Sequence, residues 1–323
     1  MVRNLALAAA LLSATAAPAA AQIGVRASSQ TSASTDQQNG DAIVVQGQRK
    51  AIAQALKNLI EQSDSEQFAR FEDELCPIVI GMPRDWTASL TRMIRENVVA
   101  LGGKAGKPGC TFNAAVIFID QPLELVKAFA KEEPGYFNMT PRELEHFTAV
   151  QRPVTSWHVT DMRSRDGVEL GQMGSVDMGV PSDAKVVRNA AASRLYSNVR
   201  EDMLVGFVVI DRMATPGKSL RQLADLATMH IMLDINQDAA GRDPGSILSL
   251  FEGRPDGMAP PARLSKFDRG ALKGFYTQRE NNRSARQQAE NIAKAIEKDR
   301  ERTSVPQTDE HRDGEEPERK QQP

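Results

Sequence analysis

In the stretch Leu220-Arg-Gln-Leu-Ala-Asp-Leu-Ala-Thr-Met-His-Ile-Met-Leu-Asp234, three side chains have the type and spacing to do chemistry: Asp225, His230 and Asp234. A carboxylate can act as a general base, and an imidazole exchanges a proton near neutral pH. On a helix, His230 and Asp234 share one face and can pair, with Asp225 as the other acid near the imidazole. Of the four histidines in the chain, His146 or His158 can come close to it in space. Asp211, closing Met203-Leu-Val-Gly-Phe-Val-Val-Ile-Asp211, is another candidate base, although an ordinary turn leading into a helix accounts for it equally well. A catalytic zinc site usually has imidazoles at i and i+4. Neither Leu226 nor Asp234 supplies the second one for His230, so a satisfied, partly buried histidine is the plainer reading. Met229 and Met232 read as core filling.

Other chemistries find no support. No Gly-x-Ser-x-Gly elbow, phosphate-cradling glycine loop or paired-cysteine motif is present. The two cysteines, Cys76 and Cys110, suit a disulfide in an oxidising compartment, with two separately buried thiols as the alternative. A bridge would close a loop of about 35 residues and contribute roughly 3 to 4 kcal/mol through the unfolded chain. Either way a thiol nucleophile is not expected. Lys and Arg number 40 against 42 Asp and Glu, a net charge of -2, which gives no electrostatic case for a nucleic-acid partner.

The elements that must position these residues lie between biased ends. Met1-Val-Arg-Asn4, the apolar run from Leu5 to Ala17 and Ala19-Ala-Ala21 read as a signal peptide over residues 1–21, implying export to the periplasm or medium. No later stretch reaches the roughly 18 apolar residues of a transmembrane helix. Residues 22–48 are a Ser, Thr, Gln and Ala-rich linker with little to bury. It carries Asp41-Ala-Ile-Val-Val-Gln-Gly-Gln-Arg49, which resembles the TonB box of outer-membrane transporters. The resemblance implies a strand around Ile43-Val-Val45 able to add to a partner's sheet edge, and an edge strand or leader segment is the plainer alternative.

One α+β domain is expected over residues 49–278, a mixed twisted sheet with packed helices. Residues 49–74 read as two helices or one interrupted helix, with Phe68 and Phe71 continuing the apolar spacing after Ser63-Asp-Ser65. A βαβ unit follows: a strand at Cys76–Gly81, a helix at Arg84–Leu101 with Trp86, Leu90, Met93, Ile94 and Val98 on one face, and a strand at Cys110–Asp120. Short helices are expected at Pro122–Glu132 and Thr140–Val150, and strands or loops at Trp157–Thr160, Gly167–Gly179 and Arg194–Tyr196. Met203–Asp211 reads as a buried strand, and Ser219 as the N-cap of the central helix. Residues 279–303 read as a charged, mostly solvated helix with a narrow stripe of Ala285, Ala289, Ile292, Ala293 and Ile296 that can lie against the domain or a partner, and 304–323 as a disordered tail.

This order resembles the metzincin zinc peptidases, which run from a βαβ unit through a strand beside the cleft to an active-site helix, a methionine turn and a closing helix. Ser246-Ile-Leu-Ser-Leu250 is similar to the methionine turn with Leu248 in the methionine's place, and Arg263–Tyr276 is similar to the closing segment. The resemblance sets Asp225 at the glutamate, Ala224 and Thr228 at the first two histidines, Ile231 at the glycine and Asp234 at the third ligand. Ala224, Thr228 and Asp234 would then line a cleft without holding zinc, and no metal or other cofactor is expected. What the resemblance implies is an exported, zincin-like pseudoenzyme that binds a peptide, envelope component or partner protein. Two alternatives stand beside it: a metal-independent hydrolase using Asp211, Asp225 or His230, and an envelope interaction protein acting through Ile43–Val45 or the 285–296 helix.

Overall fold

The computed structural model describes residues 47–172, 185–186, 193, 196–253 and 259–304. Contacts divide the chain after Val44, and every described residue belongs to the second unit. The expected signal peptide, most of the linker with Ile43–Val45, the tail beyond Ser304, Arg194, Leu195 and the segment 173–179 lie outside the described residues. Gly47–Arg49, the end of the TonB-box-like stretch, begin a helix.

Elements follow the order α1 (47–59), β1 (Pro77–Ile80), α2 (Arg84–Ala100), β2 (Ala114–Ile119), α3 (Pro122–Glu132), α4 (Pro141–Ala149), β3 (Val154–Ser164), β4 (Gly171–Gln172), β5 (Lys185–Val186), β6 (Val199–Asp211), α5 (Leu220–Met232), α6 (Lys266–Tyr276) and α7 (Ala285–Ser304). The main sheet has the order β1-β2-β6-β3. β1, β2 and β6 run parallel, and β3 runs antiparallel to β6 at the edge, so the domain is α+β with a mixed sheet. Its strand starts are joined by the Cys76–Cys110 disulfide.

Alternation along the strands distributes side chains to two layers. Val116 and Phe118 of β2 and Val208 and Ile210 of β6 face the principal core, built with α1, α2, α5, α6 and α7. Trp157 and Val209, with the half-buried Ile117, Ile119 and Phe207, face a second cluster under α3 and α4. Trp157 is stacked between Phe137 and Phe207 at centroid distances of 4.8 and 4.9 Å. Full burial of one such apolar side chain contributes about 1.5 to 3 kcal/mol.

Local signals account for most helix boundaries. Thr140 with Glu143 and Ser219 with Gln222 form capping boxes that open α4 and α5. Gly81, at φ +87°, makes the turn from β1 into α2, and a Cβ there would fall 1.9 Å from the Phe118 carbonyl oxygen.

The structure departs from the expectations in three places. Phe68 and Phe71 are buried in irregular chain, not on a second helix. Tertiary partners satisfy that backbone instead: Phe68 N–H donates to Gln288 Oε1 (2.7 Å), and Met203 N–H donates to the Arg70 carbonyl (2.9 Å). Trp86 is 50% exposed, because the buried stripe of α2 starts one turn later, at Leu90. The 279–303 helix is less solvated than expected: of the two places open to its stripe it takes the domain, with Ala285, Ala289, Ile292, Ala293 and Ile296 on α7 in the principal core. Arg286, Glu290, Lys294 and Lys298 lie on the exposed face, while Glu297 is buried and pairs with Arg49.

Candidate functional site

Helix α5 is the middle of the molecule, and Gln222 through Met232 are all buried. Its two sides are held by different polar contacts. Toward α2, Asn97 Nδ2 donates to Asp225 Oδ1 (2.8 Å) and to Thr228 Oγ1 (3.0 Å). Thr228 Oγ1 donates onward to the Ala224 carbonyl (2.7 Å). Asp225 also accepts from the Leu264 backbone N–H (3.0 Å), and the Nε atoms of Arg221 and Arg263 lie 3.6 and 3.8 Å from its carboxylate. A buried carboxylate is tolerated only with such compensation.

Toward the sheet, β3 presents Ser156 and His158, which alternate with Trp157 and so reach the α5 side. Ser156 Oγ and His230 Nδ1 are 2.8 Å apart, and Gln237 Nε2 donates to the same hydroxyl (3.0 Å). His158 Nδ1 meets Asp234 Oδ1 at 3.1 Å, and its Nε2 meets the Ile231 carbonyl at 2.9 Å. Gly206 of β6 stands opposite His158, where a Cβ would come 3.1 Å from the imidazole Cδ2. The missing side chain leaves the ring its room. These contacts fasten the edge strand to the central helix.

Several expectations are corrected by this arrangement. Ala224 and Thr228 are 0% exposed and face α2, so they line no opening. Asp234 is partly exposed and pairs with His158, not with His230 at i−4. Asp225 binds Asn97 and does not approach His230. His146 is exposed and faces Asp238 at 3.9 Å. Asp211 caps the turn after β6 by accepting from Met213 N–H (2.8 Å). Asp211, Asp225 and His230 therefore occupy three separate places and form no common constellation.

Electrostatics follow burial. Desolvation, with the nearby His158, pushes His230 down to about 3, so the ring is neutral at physiological pH. Ser156 and His230 resemble a nucleophile and base in type, but both are about 2% exposed, and a substrate would have no approach. Near the C-terminal end of α5, burial and the carboxylates of Asp234, Asp238 and Glu143 raise the Glu61 carboxyl. Among the described residues no three His, Cys, Asp or Glu side chains converge in a way that could hold a metal ion.

Asp268 organises the segment after α5. It accepts from Ser246 Oγ (2.7 Å), Ile247 N–H (2.9 Å) and Ser265 N–H (2.8 Å), tying the Ser246–Leu250 turn to the start of α6. Leu248, at the methionine's place in the resemblance, is buried in the principal core.

A concavity lies on the far side of Asn97. It encloses about 960 Å³ between α2, the start of α5, α6 and α7. The sequence offers His158 as a histidine able to approach α5, but it does not single out Asn97 or Ser156 as partners. The available signals were a polar residue inside the Leu90, Ile94, Val98 stripe and the placing of Ser156 and His158 on either side of Trp157 in β3. No protein-family model, curated protein or solved structure matches the chain.

Proposed function

We propose that this chain is an exported, zincin-like domain that has no hydrolytic centre and acts by binding an envelope component or partner. The single observation that carries the reading is the packing of α5. The positions that correspond to two zinc ligands, Ala224 and Thr228, offer one side chain without a donor and one hydroxyl that is already engaged. Zinc hydrolysis needs ligands that lower the pKa of a bound water, and these residues cannot supply them.

The zincin-like part of the reading is supported by the order of elements. A βαβ unit, an antiparallel edge strand and a parallel strand lead into a central helix, a tight turn held by Asp268, and a capped closing helix. The resemblance sets the strand beside the cleft at Leu204–Asp211, within β6, and Ser156–His230 and His158–Asp234 tie the neighbouring β3 against α5. Binding falls to another surface, and the groove of about 960 Å³ bounded by α6 and α7 offers one. The 285–296 stripe is spent on the core, which disfavours a partner docking there.

The test is to incubate the purified protein with zinc and a casein and peptide library, with and without a chelator. No cleavage that the chelator abolishes is expected. Stoichiometric zinc uptake with chelator-sensitive cleavage would overturn the proposal.

A further inference from the structure

The groove carries a strong excess of positive charge. Lys266, Arg269 and Lys273 follow one another along α6 at helical spacing and line one wall over about 10 Å. Lys298 and Arg300 line it from α7, and Asp299 is the carboxylate beside them. At the α5 end, Arg221 and Arg263 share the single carboxylate of Asp225. Glu96 is also on the rim, but Arg92 already meets it at 2.7 Å. Among the described residues Lys266, Lys273, Lys298 and Arg300 have no acidic side chain within 4.0 Å. Like charges gathered in a concavity repel one another and focus a positive potential into it, which an anion relieves.

From this geometry we infer that the groove is a binding site for a compact ligand bearing two or more phosphate groups. Charge density favours phosphate over scattered carboxylates, because one phosphate brings up to two charges and several acceptor oxygens to a point. Arginine forks match that geometry, and lysines add mobile charge. An extended acidic peptide is disfavoured because the walls are helices whose backbone groups are already bonded, so it would find no strand edge to pair with. The floor of Leu101, Leu264 and Ile296 is apolar, which leaves room for a ligand whose phosphates are attached to a carbon skeleton. Both a soluble polyphosphorylated molecule and a phosphorylated lipid headgroup have this chemistry. The inference extends the proposed binding role by naming the ligand's chemistry. Phosphate binding and peptide cleavage are measured separately, so either can fail alone.

The experiment is calorimetric titration of the whole protein with tripolyphosphate at low and at physiological salt, alongside sedimentation with anionic phospholipid vesicles. Saturable tripolyphosphate binding that weakens with salt, and that drops about tenfold or more in Lys266→Glu/Lys273→Glu, is the expected result for a soluble ligand. Vesicle binding lost in the same variant, without tripolyphosphate binding, supports the site and assigns the ligand to a lipid headgroup. Both substitutions are on exposed side chains, and an unchanged thermal transition shows that the fold is kept. Binding to neither probe, equal binding by the double variant, or preference for a polyglutamate peptide over tripolyphosphate would overturn the inference.

Discussion

His158 on the edge strand and Asp234 just past the central helix meet at 3.1 Å, and this contact fastens the edge strand to that helix. His158 is buried, while the Asp234 side chain is 28% exposed. Removing the acid lets water take over part of its role, whereas removing the ring leaves the Ile231 carbonyl without its partner. Asp234→Ala is therefore expected to cost about 1 kcal/mol, and His158→Ala about 2 to 4 kcal/mol, in urea unfolding. Equal losses from both would mean that the contact, not the buried ring, dominates.

His230 gives the protein a distinct acid sensitivity. Its folded pKa, pushed down to about 3, lies below the ordinary value of 6.5, so the unfolded chain takes up a proton first as pH falls. The contribution of this group to stability is complete above about pH 6.5 and disappears as pH drops from there toward 3. His230→Gln should lose that part of the dependence, so the stability difference between wild type and variant should narrow on acidification. Denaturant midpoints measured between pH 7 and 4 check this, and a difference that stays constant would contradict it.

Gly274 on α6 lets α7 approach closely. An added Cβ would lie 3.1 Å from Ile292 Cγ2 and 3.3 Å from the Ile292 Cα. Alanine normally favours a helix by about 1 kcal/mol over glycine, but overpacking costs about 1 to 3 kcal/mol. Gly274→Ala is expected to destabilise by about 1 kcal/mol, seen as a lower thermal midpoint. A stabilised variant would show that α7 is held less tightly than described.

The sequence made the alternating strands and capped helices legible because their signals are local. Ser219, Thr140 and the apolar run Met203–Asp211 needed no knowledge of distant residues. The Cys76–Cys110 pairing followed from having only two cysteines. What stayed hidden depends on long-range partners. Phe68 sits in irregular chain because Gln288, far along the sequence, bonds its backbone. His230 was weighed against Asp225 and Asp234 on its own helix, yet its partner Ser156 comes from a strand 74 positions earlier. The basic groove was equally hidden, since its cations are assembled from separate elements inside a chain whose overall charge is nearly balanced.

Helix α5 is enclosed on both sides, with nothing open at Ala224 or Thr228. The most direct measurement is thiol labelling of Thr228→Cys in the native protein, with the Cys76–Cys110 disulfide intact and Lys273→Cys as an exposed control. The control should react with a maleimide within minutes, and Thr228→Cys should stay unlabelled until denaturant is added. Labelling of Thr228→Cys at the rate of the control, in protein whose unfolding transition is unchanged, would place an open cleft at α5 and contradict the account.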